Sequence, residues 1–129
     1  MIRLSKEQVI LLHNQLIKET GGMPGVLDEG LLESVLEAPF MSFGGLELFP
    51  SILQKAARLC YGVIMNHPFV DGNKRIAAHV MLIFLSLNKI ELKYTQDELV
   101  QVILEIAKGN LNASDLFKWL CNATTHHSK

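Results

Sequence analysis

His67-Pro68-Phe69-Val70-Asp71-Gly72-Asn73-Lys74-Arg75 is a run of nine residues, dense in polar groups, set between two strongly apolar stretches. Upstream, from Pro50 to Asn66, the residues Ile52, Leu53, Ala56, Leu59, Cys60, Val63 and Ile64 recur at helical spacing. Pro68 must end that helix, because a proline pushes the residue before it out of helical geometry. Downstream, Asn73 to about Leu87 is apolar nearly all round, the pattern of a central helix with the rest of a bundle packed around it. His67 therefore lies at a helix-to-loop junction, and the loop after it opens a buried helix.

Such a loop is a natural anion site, because the first turn of a helix presents unpaired N–H groups and the positive end of the helix dipole. Gly72 lets the backbone approach a ligand closely. Arg75 offers a planar fork of donors matched to phosphate oxygens, Lys74 adds a point charge and Asn73 can orient a neighbour by hydrogen bonding. Asp71 supplies the hard carboxylate oxygen that magnesium takes when it keeps water and nucleotide oxygens in its shell. An imidazole accepts protons near neutral pH, which suits His67 to activating a hydroxyl. Each residue alone has a plainer reading: a helix end for His67, a turn for Asp71-Gly72, a cap for Asn73, a solvated first turn for Lys74 and Arg75. Positive charge in that first turn opposes the dipole, however, and favours a bound anion.

Working outward, Ser5 with Gln8 forms a capping box for a helix through Val9, Leu12, Leu16 and Ile17 to about Lys18. Gly21-Gly22-Met23-Pro24-Gly25 is a loop, and Asp28 caps a short helix carrying Leu31, Leu32, Val35 and Leu36 that Pro39 bounds. Phe40 to Phe49, with Gly44-Gly45 at its centre and Met41, Phe43, Leu46 and Leu48 flanking it, reads as a small hairpin. Thr95 with Glu98 opens a helix through Leu99, Val102, Ile103 and Ile106 that Gly109 stops, and Ser114 caps a last one carrying Leu116, Phe117 and Leu120. Phe69 is expected to anchor the loop in the core and Trp119 to pack the last helix; His79 has no assigned role. Residues 124–129, with His126 and His127, read as a frayed tail.

The string His67-x-Phe69-x-Asp71-Gly72-Asn73-Lys74-Arg75 resembles the Fic/Doc signature, His-x-Phe-x-Asp/Glu-Gly/Ala-Asn-Gly/Lys-Arg. Upstream, Gly25-Val26-Leu27-Asp28-Glu29-Gly30-Leu31-Leu32-Glu33-Ser34 resembles the first helix opening of Doc-type proteins, and the chain length of 129 residues suits that branch. The resemblance implies an all-α fold, a compact helical bundle with a short flap hairpin before the motif helix. It assigns His67 as the general base, Asp71 to magnesium, and Gly72, Asn73 and Arg75 to the phosphates of ATP, to which Lys74 adds its charge. Met41, Phe43, Gly44, Gly45 and Leu46 fall where the family's flap aligns a segment of the target protein as an added strand.

Most Fic enzymes carry glycine where this chain has Lys74, and transfer AMP; Doc-type members carry lysine there and resemble kinases. The resemblance thus implies a toxin that moves the γ-phosphoryl group of ATP to a Ser or Thr hydroxyl, with AMP transfer as the runner-up and a catalytically silent binding module as a third reading. No segment matches the Ser/Thr-x-x-x-Glu-Gly/Asn pattern by which some Fic proteins obstruct their own nucleotide site. Inhibition is then expected from a separate antitoxin peptide in a groove on the helical body. The family's best-known target, the translation elongation factor that delivers aminoacyl-tRNA, enters only by analogy.

The bulk numbers agree with one folded domain over residues 1–129: 49% hydrophobic and 19% charged residues suit a core that needs no staples. Twelve basic against thirteen acidic residues, a net charge of -1, give no broad attraction to nucleic acid or membrane. Cys60 and Cys121, the two cysteines, read as buried thiols in a reducing compartment. No signal-peptide stretch follows the N-terminal charge, and Ile76 to Leu87 falls short of the roughly 20 residues of a membrane span. A cytoplasmic protein is expected, and the two sequons at Asn112 and Asn122 read as chance. A metal-dependent phosphohydrolase needs more ligands than one His and one Asp, and no second cluster stands out.

Overall fold

A computed structural model describes residues 1–125. In chain order these form α1 (Lys6–Thr20), α2 (Glu29–Glu37), a 3-10 turn (Ala38–Phe40), β1 (Ser42–Phe43), β2 (Leu46–Glu47), α3 (Ile52–Asn66), α4 (Asn73–Leu87), α5 (Gln96–Ala107) and α6 (Ala113–Thr125). The architecture is all-α, with a two-stranded antiparallel hairpin pairing Ser42 with Glu47 and Phe43 with Leu46 across Gly44-Gly45.

Capping chemistry sets most helix starts. The Ser5 hydroxyl accepts the Gln8 N–H (3.1 Å) while Gln8 accepts the Ser5 N–H (2.8 Å), and Thr95 and Glu98 do the same for α5 at 3.1 and 2.7 Å. Asp28 accepts the Leu31 N–H at 3.0 Å. Two starts differ from the sequence reading. Helix α3 begins at Ile52 rather than Pro50, because Ser51 and Gln54 form a third reciprocal box. Helix α6 is opened by Asn112 rather than Ser114: Asn112 and Asp115 exchange side-chain-to-backbone bonds of 2.9 Å in both directions, which draws Ser114 inside the first turn.

The hub is α3, not α4 as the apolar pattern suggested. Helix α3 packs against α2, α4, α5 and α6, whereas α4 packs against α1, α3 and α5. The reason lies in small residues: Ala56, Ala57, Cys60 and Gly62 are all buried on α3 and let neighbours approach on several sides. A Cβ at Gly62 would lie 3.1 Å from the Val35 Cγ1 of α2. The core also includes Val9, Leu32, Phe69, Ile76, Val80, Phe84, Ile106, Leu116 and Leu120.

Cys60 is fully buried and burial raises its thiol pKa, whereas Cys121 is only half-buried, a departure from the buried reading. Trp119 leans on Tyr94 with ring centres 5.9 Å apart. Thr124 and Thr125 belong to α6 rather than to a tail, and the Thr124 hydroxyl donates to the Cys121 carbonyl at 2.8 Å. His126, His127 and the rest of the expected tail lie outside the described residues. Among the described residues, no helix is long and apolar enough to cross a membrane.

Candidate active site

The loop between α3 and α4 is fastened to an earlier part of the chain along its edge. The Pro68 carbonyl accepts the N–H groups of Leu27 (2.8 Å) and Asp28 (3.2 Å), and the Val70 N–H donates to the Gly25 carbonyl (3.0 Å). Residues 25–28 and 68–70 thus run antiparallel around a bridge between Val26 and Phe69. Phe69 is 1% exposed and anchors the loop as expected. Its two backbone groups are taken by one side chain: the Phe69 N–H donates to Asn73 Oδ1, and Asn73 Nδ2 donates to the Phe69 carbonyl, both at 3.0 Å. The buried Asn73 amide is therefore committed to the loop.

His67 ends α3 in the left-handed conformation (φ +49°), with its N–H on the Val63 carbonyl at 3.2 Å. Histidine tolerates that region better than most side chains. The residue is exposed, and its imidazole makes no hydrogen bond among the described residues. It stands free at the edge of the loop.

Asp71 is half-buried and doubly held: Oδ2 accepts the Met23 N–H (3.1 Å) and Oδ1 the Gly72 N–H (2.8 Å). The Met23 bond first, then the Gly72 bond and the charge of Arg75, hold its carboxyl below the usual carboxylate range. Each oxygen keeps a further lone pair, so the group can still serve a hard cation. No cluster of three or more His, Cys, Asp or Glu suited to a metal occurs among the described residues. A cation here would take one carboxylate from the protein and its remaining ligands from elsewhere, a donor set that suits magnesium.

Two glycines make this closeness possible. A Cβ on Gly22 would sit 2.6 Å from Asp71 Oδ2, and Gly72 has φ +72° with a Cβ position 2.9 Å from Ile17 Cδ1. Gly72 is also the N-cap of α4. That helix starts with no side-chain cap, unlike α1, α2, α3 and α5, and with no acidic residue in its first turn, unlike α1, α2 and α5. Lys74 and Arg75 occupy the first turn instead, both exposed. Arg75 Nη1 donates to the Gly21 carbonyl at 2.8 Å and to the Thr20 hydroxyl, which fixes the guanidinium between the end of α1 and the start of α4. A groove of 380 Å³ continues from Lys74 and Arg75 between α1, α4 and α5, floored by Leu16, Ala78, Leu82 and Ile103, with His79 on its wall.

His67, Asp71, Gly72, Asn73, Lys74 and Arg75 thus follow one another from the end of α3 through the loop into the first turn of α4. The hairpin is anchored at the other end of α3. Met41, Phe43, Leu46 and Leu48 are exposed, Phe43 to 81%, but the hairpin is rooted at the first turns of α3 while His67 closes the last. The 15 residues of α3 rise about 22 Å between them. Lys55 holds the root: 1% exposed, its Nζ donates to Glu47 Oε1 (2.8 Å) and to the Phe49 carbonyl.

Sequence reasoning missed two residues here. Lys55 was overlooked because a lysine on an apolar helix face reads as solvent-exposed. His13 was overlooked inside the α1 pattern, although it falls midway between Val9 and Ile17 on the buried face, which was the available signal. It is fully buried, its Nε2 lies 2.8 Å from the Asp71 carbonyl, and its ring stacks on Phe69 at 3.9 Å.

Comparison with known proteins agrees with this architecture. A family model described as the Fic/DOC family matches residues 3–85. The protein kinase doc of Escherichia phage P1 is 28% identical over 116 residues, covering 90% of each chain. The Toxin Doc of Mycolicibacterium smegmatis is 38% identical over 72 residues, 56% of this chain and 55% of that protein.

Proposed function

This chain belongs to the Fic/DOC family, in its Doc-like branch, and on that premise we propose that it is a cytoplasmic single-domain toxin that phosphorylates a Ser or Thr hydroxyl of a target protein from ATP. One relative carries the name protein kinase doc and another the name Toxin Doc. The observation that carries the reading is the start of α4, a helix N-terminus left without a side-chain cap and furnished with Lys74 and Arg75. Backbone N–H groups, an ammonium and a guanidinium converge where a polyphosphate is best held.

In this reading the target oxygen attacks the γ-phosphorus as its proton passes to the free imidazole of His67. The bond to the β–γ bridging oxygen breaks and ADP departs with the electron pair. Lys74 and Arg75 bind the phosphates, and Gly72 keeps the backbone close to them. Asn73 acts at one remove, through the Phe69 backbone it braces. Asp71 holds magnesium, which when bound neutralises charge on the phosphates. The hairpin offers its exposed edge to an extended target segment, and the groove beside Lys74 receives the peptide of a separate antitoxin.

The test is incubation with candidate targets and ATP labelled separately at the α and γ phosphates, in the parent and in His67→Ala. Label from γ alone, lost in His67→Ala, supports the reading. Label from α alone makes the protein an AMP transferase, and labelling or toxicity unchanged in His67→Ala removes the histidine from the chemistry.

A further inference from the structure

The most deeply placed polar group around the motif loop is neither in the motif nor on α4. His13, in the middle of α1, is 0% exposed and lies among apolar neighbours, with its Nδ1 buried and lacking a hydrogen-bond partner among the described residues. A leucine would suit that position in the α1 pattern better, since an unpaired buried nitrogen is destabilising. What the imidazole supplies is a single bond, from Nε2 to the Asp71 carbonyl at 2.8 Å. A carbonyl oxygen only accepts, so Nε2 carries the proton of this bond, while Nδ1 has no partner among the described residues.

That carbonyl belongs to the peptide joining Asp71 to Gly72, whose other end, the Gly72 N–H, is bonded to Asp71 Oδ1 at 2.8 Å. Flipping this peptide changes ψ of Asp71 and φ of Gly72. Glycine accepts either sign of φ, so sterics at Gly72 do little to hold the plane. Its orientation depends on what grips its two ends, and it bears on the aim of the Asp71 carboxylate, whose Oδ2 the Met23 N–H holds separately at 3.1 Å. One grip is Asp71 itself; the other is His13, braced by its stack on Phe69 with planes 13° apart.

We infer that His13 is a positioning residue: its Nε2–H locks the Asp71–Gly72 peptide and thereby sets the direction of the Asp71 carboxylate toward the cation. The orientation of the peptide stands on geometry alone; its consequence for magnesium rests on the function proposed above.

The test uses the full chain, labelled with 15N. In the parent without nucleotide, the ring shifts should show His13 protonated at Nε2; protonation at Nδ1 alone overturns the inference. His13→Phe keeps a ring against Phe69 and has no donor, whereas His13→Gln keeps an N–H at similar reach. The Gly72 amide should exchange about tenfold faster in His13→Phe and within about threefold of the parent in His13→Gln. Equal exchange in all three proteins, or equal acceleration in both variants, overturns it. If His13→Phe fails to fold, the parent ring shifts and the Gln variant decide, with Gln exchange more than about threefold above the parent counting against.

Titration calorimetry with magnesium and ATP then reads the consequence, an affinity about five- to tenfold weaker in His13→Phe and restored in His13→Gln. A parent that binds no magnesium-ATP brings down the proposed function, while the amide exchange still decides the role of His13.

Discussion

Replacing Asn73 with Ala separates two roles for the residue, a ligand for phosphate and a brace for the loop. Its Oδ1 and Nδ2 satisfy both backbone groups of Phe69 at 3.0 Å, and Phe69 is 1% exposed. Alanine leaves the Phe69 N–H unsatisfied away from water, worth about 1–3 kcal/mol, and removes the bond to its carbonyl, about 1 kcal/mol more. A destabilisation on the order of 3 kcal/mol lowers the melting temperature by roughly 10 °C for a domain of this length. Calorimetry and urea unfolding measure it, and an unchanged denaturant slope would confirm that the loss is in stability rather than in the compactness of either state. Exposed Lys74→Ala serves as the control and should melt close to the parent. An Asn73→Ala protein that melts within about 2 °C of the parent yet no longer binds nucleotide would refute the reasoning, and would return the amide to direct contact with phosphate.

Lys55→Met keeps the buried stem and removes the ammonium, so residues 42–47 should exchange amide hydrogens faster and the Gly44-Gly45 turn should be cut sooner by protease. Global stability should fall by only about 1–2 kcal/mol, because Glu47 is 53% exposed and recovers water; hairpin exchange matching the parent would show that the lysine is not its root. Asp71 has a depressed folded-state pKa, so its contribution to stability is present above the ordinary carboxyl range and is lost as pH falls through the lowered value. Asp71→Asn should therefore lose stability less steeply than the parent on acidification below about pH 4, and superimposable slopes in urea unfolding would contradict that.

The helices were legible because their caps are local. Ser5 with Gln8 and Thr95 with Glu98 announce themselves within four residues, and Pro68 marks the end of α3 by sterics alone. Asn112 was passed over for Ser114 because both are good cap residues and only the pairing with Asp115 decides between them. The motif turn was readable as a cluster of residue types, but its support was not. The Met23 N–H, the Gly25 carbonyl and the His13 ring reach it from 45 or more residues away in sequence, and no periodicity encodes a contact made across the fold. The Asn73 amide shows the same limit: its position indicated a polar role, while its partners emerged only once Phe69 was seen to be buried.

The fastening of the motif turn also bears on when the protein becomes competent. Its ties run back to residues 13–28, while the helix that presents it ends only at Leu87. On a ribosome, which extrudes the N-terminal part first, residues 1–66 can emerge complete and still have no turn to clasp. Chemistry then awaits the arrival of α4, so a truncated translation product carries the ties and the imidazole's helix without a working centre, and any partner made alongside has that interval in which to be ready.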